Sequence, residues 1–205
     1  MMLAKKQAEH GSVGVYLLCD CSGSMSGERI ALLNMALEKG FARLQELAGD
    51  YPGLSIHLNA IRFASQARWH LQNRALEDRP AWPSIQDTGG LTCLGAALQL
   101  LAQHFQQQPP ADGQLPPLIL LLTDGKSTDE IAHGLEQLLA TPQGQHAQRF
   151  SIGIGEEVDR EMLLELVGQH HSRLTLTASS MELPQLINGY LEAGLRQADQ
   201  LRQPA

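Results

Sequence analysis

The fold is decided by residues 13–26, V-G-V-Y-L-L-C-D-C-S-G-S-M-S. Residues 13–19 are almost uniformly apolar and do not alternate. Such a run fits a strand buried on both faces, as in a parallel sheet covered by helices. Asp20 ends it, and Ser22 and Ser24 follow the carboxylate at alternate positions. A strand that stops at Asp-x-Ser-x-Ser and then meets a helix puts one carboxylate and two hydroxyls at the rim of a sheet. Hard oxygen donors of this kind suit a divalent cation.

Working outward, Ile30, Leu33, Leu37, Phe41, Leu44 and Leu47 recur at helical spacing. They make one apolar stripe on a long amphipathic helix that starts near residue 26 and is closed by Gly49, Asp50, Pro52 and Gly53. Residues 54–63 alternate apolar with polar side chains and the pattern resumes over 67–71, a strand with a short antiparallel partner. Residues 74–87, with Pro80 and Pro83, read as a surface connection in which Trp82 covers part of the core. Gly89 and Gly90 free the backbone for a sharp turn. Thr92 is expected as the N-cap of the next helix, whose buried side is marked by Leu94, Leu98, Leu101 and Phe105. The Gln- and Pro-rich residues 106–117 form a loop.

Residues 118–122, L-I-L-L-L, are a second fully apolar strand, and it too runs into a donor-bearing turn, Thr123-Asp124-Gly125. Ser127 and Glu130 have the form of a capping box opening a helix through residue 140. Residues 149–154 are a further strand turned by Gly155, and Asp159 caps a helix over 160–167. Residues 173–176 make a last edge strand, and Ser179 with Glu182 opens a C-terminal helix to about residue 198. This alternation implies an α/β fold: a doubly wound, mostly parallel central sheet with one antiparallel edge strand and helices on both faces. Binding sites are then expected at the carboxyl ends of strands. The expected division is a tail over 1–11, one domain over 12–198 and a tail over 199–205.

Composition narrows the function classes. A chain of 205 residues supports one substantial core, and its 43% hydrophobic and 18% charged residues are those of a globular protein. No stretch approaches the roughly 18 to 20 apolar residues that span a bilayer, so no membrane span is expected. Residues 1–11 carry Lys5 and Lys6 without an apolar segment ahead of a cleavage site, which does not read as a secretory signal. A cytoplasmic location is the resulting expectation. A net charge of -7 without a Lys/Arg cluster argues against nucleic acid, whose binding depends on neutralising phosphates. Cys19, Cys21 and Cys93 have neither C-x-x-C spacing nor the density of a disulfide scaffold, and are expected as reduced thiols.

The candidate ligands are Asp20, Ser22 and Ser24 from the first loop, Thr92 from the second and Asp124 from the third. Singly, each has an ordinary reading as a cap or turn residue; jointly they describe a metal site. Few carboxylates and several hydroxyls suit Mg²⁺ or Mn²⁺, with Ca²⁺ a further option, better than Zn²⁺. Because the hydroxyls are neutral, the ion is only partly compensated and attracts a carboxylate from outside. A metal-bridged contact with an Asp or Glu of a protein partner is the expected product. Asp87 and Asp129 lie near the ligand loops, as supporting acceptors or as plain surface and cap residues. Cys21 and Cys93 adjoin ligand positions, where oxidation or soft-metal capture would disturb partner binding; packing is the alternative job. The eight histidines, including His170 and His171, read as surface residues.

Asp20-x-Ser22-x-Ser24, the later Gly-Gly-x-Thr92-x-x-Gly-x-Ala-Leu and Leu-Thr-Asp124-Gly together resemble the von Willebrand factor A domain with its metal-ion-dependent adhesion site. The resemblance spans about residues 13–195 and implies a Rossmann-like sheet and a non-enzymatic, metal-dependent protein-interaction module. C-D-x-S-G-S-M-S-G-E, F-A-S-Q-A-R and L-L-L-T-D-G-K-S-T-D-E are similar to bacterial TerY-type proteins. That likeness implies a scaffold in a tellurium-resistance or stress system, with a kinase and a phosphatase as separate partner chains. A regulatory subunit of a AAA-type ATPase is the alternative the superfamily offers. A metal-dependent phosphohydrolase is a third reading, weakened because no Ser-His-Asp set, no G-x-x-x-x-G-K-[ST] loop and no second carboxylate cluster is visible.

Overall fold

The computed structural model describes residues 10–76, 81–86 and 88–203. Its strands are β1 (Gly11–Asp20), β2 (Leu54–Phe63), β3 (Ala67–Ala75), β4 (Leu118–Thr123), β5 (Gln148–Ile154) and β6 (Leu174–Thr177). Its helices are α1 (Glu28–Asp50), α2 (Leu94–Gln107), α3 (Ile131–Leu139), α4 (Pro142–His146), α5 (Arg160–Val167) and α6 (Leu183–Arg202). The six strands form one sheet in the order β3-β2-β1-β4-β5-β6, parallel throughout except for the antiparallel β2/β3 pair. The doubly wound, mostly parallel sheet expected from the sequence is what the chain forms.

The unbroken apolar runs follow from burial on two faces. Val13, Val15, Leu17 and Cys19 of β1 pack toward α1 and α6, while Tyr16 and Leu18 pack toward α2, α3 and α5. All six residues of β4 are buried. Each such Leu contributes about 2 kcal/mol on removal from water, so a polar residue at any of these positions is strongly opposed. The expected stripe on α1 is buried throughout, and Gly40 lets α1 approach Ile187 of α6.

Several local expectations are corrected. Helix α1 starts at Glu28, because a short 3-10 turn over Gly23–Met25 and Gly27, at φ +74, intervene after the serines. Strand β3 runs past residue 71 to Ala75, with an irregularity opposite β2 where the Asn59 side chain accepts a hydrogen bond from the Asn73 amide at 2.7 Å. Asn73 has φ +47, a conformation asparagine tolerates better than most residues. Thr92 is not the N-cap of α2; Cys93 holds that position and its side chain caps nothing. The Ser127–Glu130 capping box does not form, since Ser127 Oγ donates to Asp129 Oδ1 at 2.7 Å and α3 begins only at Ile131.

Helix α4 was not expected; it is opened by Thr141, whose hydroxyl accepts from the Gly144 amide at 3.0 Å, and by Pro142. Ser179 caps a 3-10 turn rather than α6, and Glu182 accepts from the Thr177 hydroxyl at 2.5 Å. Asp159 does cap α5, through Glu161 N and Met162 N. His104 is not at the surface: it is 9% exposed, edge-on to Trp69 and Tyr16. Among the described residues no helix is long and apolar enough to cross a membrane.

Candidate metal centre

Sheet register builds the first half of the site. Strands β1 and β4 are parallel neighbours with Cys19 opposite Leu122, which brings Asp20 alongside Thr123 at the carboxyl edge. The Thr123 hydroxyl donates to Asp20 Oδ2 at 2.5 Å, and the Ser22 amide donates to Asp20 Oδ1 at 2.9 Å. Ser22 Oγ lies 3.1 Å from Ser24 Oγ, and Ser24 Oγ donates to Asp124 Oδ1 at 2.7 Å. Two loops separated by a hundred residues in sequence thus present one continuous row of oxygens.

The second loop enters through backbone bonds. Gly23 N donates to Gly90 O at 3.2 Å, Cys93 N to Ala64 O at 2.8 Å and Thr128 N to Thr92 O at 2.8 Å. Gly90 has φ +81, open to glycine and strained for other residues. A Cβ placed on Gly125 would stand 3.5 Å from Thr92 Oγ1 and 3.7 Å from Ser24 Oγ, so these two hydroxyls face a common space that glycine leaves open. Thr92 is 6% exposed, and its hydroxyl has no hydrogen-bond partner among the described residues. All five residues singled out in the sequence therefore converge.

Asp129 supports this loop. Its two carboxylate oxygens accept from Gly95 N and Ala96 N, each at 2.9 Å, capping α2 from the far side of the third loop. Sequence order hides the cap because its partner helix lies more than thirty residues upstream. Asp87 lies outside the described residues.

The electrostatics favour a cation. Asp20 and Asp124 are 0% and 1% exposed, and buried carboxylates are strongly opposed unless compensated. Burial pushes the Asp20 carboxyl above its ordinary range; hydrogen bonds from Thr123 and Ser22 offset part of this, and the Asp124 charge adds to it. Arg29, on the first turn of α1, donates to Asp124 Oδ2 at 2.5 Å and to Ser24 O at 3.3 Å. The sequence reading did not pick out Arg29. Its position on the first turn of the helix that follows the Asp20 loop was the available signal.

The residues fit a divalent ion that takes oxygen ligands. Asp124, Ser24 and Ser22 are linked oxygen to oxygen at 2.7 and 3.1 Å, so their donors are already gathered at one point. Among the described residues no three His, Cys, Asp or Glu side chains converge, so the donor set is two carboxylates plus neutral hydroxyls. Such a set suits a hard cation and leaves part of its coordination shell open to a further ligand. Cys21 is 1% exposed, its thiol donates to Phe63 O at 3.3 Å, and burial raises its pKa, so it packs rather than standing as a reactive thiolate. Cys93 is partly exposed, 3.8 Å from Thr128 Oγ1.

Comparison with known proteins follows the same outline. The family model of the von Willebrand factor type A domain matches residues 14–189. The chain is 33% identical over 94 residues to the collagen alpha-6(VI) chain of Mus musculus and 32% over 97 residues to that of Homo sapiens. Each match covers 45% of this chain but only 4% of the collagen chain. A von Willebrand factor type A structure from Catenulispora acidiphila is similar with a TM-score of 0.65 at 18% identity, over 88% of this chain and 42% of that one. Proximal thread matrix protein 1 from the mussel byssus, with a zinc-occupied MIDAS motif, has a TM-score of 0.65 at 18% identity, over 89% of this chain and 48% of its own. At such identities the solved structures show a shared fold.

Proposed function

Because the chain belongs to the von Willebrand factor type A domain family, we propose that it is a non-enzymatic interaction module in which a divalent ion on Asp20, Ser22, Ser24, Thr92 and Asp124 is completed by an acidic side chain of a protein partner. The observation that carries this is the convergence of two buried carboxylates and three hydroxyls from three strand-end loops. Asp124, Ser22 and Ser24 hold the ion, with Thr92 supplying the hydroxyl that has no other partner and Asp20 acting directly or through water. Few carboxylates and several hydroxyls favour Mg²⁺, with Mn²⁺ or Ca²⁺ as alternatives. A bound ion with only neutral hydroxyls around its open side attracts an anionic oxygen, and a partner Asp or Glu supplies one.

We place the module in the cytoplasm, consistent with three unpaired thiols. Its motif residues support a role as scaffold in a TerY-type stress or tellurium-resistance system with separate kinase and phosphatase chains. The test is a pull-down with Mg²⁺ and again with chelator, using wild type and Asp20→Ala. Partner recovery should require both the ion and Asp20, while circular dichroism shows the variant folded. Equal recovery with and without the ion refutes the mechanism. Recovery of a hexameric ATPase instead of a kinase and phosphatase reassigns the machine.

A further inference from the structure

Beside the candidate metal centre lies a cavity of about 350 Å³, whose lining includes Cys21, Arg62, Ser65, Arg68, Thr88 and Gly89. We infer that it is an anion pocket that receives a second carboxylate of the same partner, so that the ligand is an acidic peptide segment with two closely spaced Asp or Glu side chains. This rests on the metal-bridged reading above and adds the chemistry of the partner.

The argument begins with a local arrangement that lowers stability. In the antiparallel β2/β3 pair, Arg62 and Arg68 are direct cross-strand partners and therefore share one face of the sheet. Like charges directly opposite one another are destabilising. The chain carries 22 acidic residues and a net charge of -7, yet among the described residues neither arginine has a carboxylate partner. The hydrogen bond that Arg68 makes goes to the neutral amide oxygen of Gln66, at 2.9 Å. Two guanidinium groups without a carboxylate partner among the described residues, lining one concave space, form a site for an anion. The planar guanidinium fork matches a carboxylate bidentately.

The pocket and the ion site share a wall. Cys21 sits between the ligand positions Asp20 and Ser22, Thr88 N donates to Cys21 O at 3.1 Å, and Gly23 N donates to Gly90 O at 3.2 Å. Ser65 Oγ accepts from Leu91 N at 3.0 Å and fixes the same loop from the other side. A peptide whose carboxylate reaches the ion passes directly over this wall. A neighbouring acidic residue of that peptide then lies within reach of Arg62 and Arg68. Continuity with the ion site selects a polypeptide carboxylate over a free anion, and the negative net charge disfavours nucleic acid.

The test uses fluorescence anisotropy with labelled Gly/Ser peptides carrying one glutamate, or two whose spacing is stepped by single residues, in Mg²⁺ and in chelator. At the best spacing, the diglutamate peptide should bind wild type about tenfold or more tighter than the monoglutamate peptide, equivalent to about 1.4 kcal/mol. In Arg62→Gln/Arg68→Gln that ratio should fall to about one, and in Arg62→Lys/Arg68→Lys, which keeps the charge, most of it should survive. A wild-type ratio near one at every spacing overturns the proposal, as does a ratio unchanged in the glutamine variant. A phosphoserine in place of the second glutamate that binds a further tenfold or more tighter reassigns the pocket to a phosphorylated segment and also overturns it. Failure of the metal reading is separate: monoglutamate binding would then be the same in Mg²⁺ and in chelator.

Discussion

Arg29 occupies the place of a counter-charge for Asp124, and replacing it should move metal-free stability and metal affinity in opposite directions. The Asp124 side chain is fully buried, whereas that of Arg29 is 45% exposed. An exposed ion pair contributes up to about 1 kcal/mol, and breaking a buried pair costs about 3–5 kcal/mol. This half-exposed pair falls between them, so Arg29→Gln should destabilise the metal-free protein by about 2 kcal/mol. For a chain of this size that lowers Tm by about 4–8 °C. When an ion takes over the compensation of Asp124, the contribution of Arg29 is forfeited. Removing Arg29 therefore removes that forfeit, and Mg²⁺ should bind up to about thirtyfold tighter. The two effects close a cycle: with saturating Mg²⁺ the melting temperatures of variant and wild type converge. Calorimetric Mg²⁺ titration and thermal melts with and without the ion measure every leg. Unchanged or weaker Mg²⁺ binding by Arg29→Gln would refute the reasoning, because Arg29 would then assist the ion rather than substitute for it.

Asp129→Ala removes two charge-assisted caps from α2, and a cap contributes about 0.5–2 kcal/mol, so a loss of about 2 kcal/mol and a Tm about 4–8 °C lower are expected by thermal melting. Mg²⁺ affinity should fall with it, since Thr92 lies in the segment that Asp129 secures. His104 has its pKa lowered by burial, so the folded state binds its proton less readily than the unfolded chain. Its contribution to stability is therefore present above the ordinary histidine range, near pH 6.5, and is lost as pH falls through and below it. His104→Gln should flatten that acid limb in urea melts taken across the range; an unchanged limb assigns it to other groups, such as His70, which is shifted the same way.

How much of this was legible in the chain depended on whether the signal was local. Unbroken apolar runs over β1 and β4 announced strands covered on both faces, because no amphipathic alternative fits such runs. Alternation with helical stripes then implied the doubly wound sheet. That Asp20, Ser22, Ser24, Thr92 and Asp124 gather at one edge was readable for the same reason: they lie at the end of an apolar strand or in the loops between apolar strands and helices, and parallel strands bring their carboxyl ends to one edge.

Capping was less legible, since a serine three residues before a glutamate is only an offer of hydrogen bonds. Ser127 found Asp129, and Asp129 found the amides of a helix far upstream. The environments beside the ligands were set entirely by the tertiary structure. The turn of α1 swings Arg29 onto Asp124, and the β2/β3 register places Arg62 opposite Arg68. Sequence periodicity determined which residues are inside and where the strands end. Long-range charge pairing and antiparallel register depend on distances through space between distant segments, and these exist only once the sheet has formed.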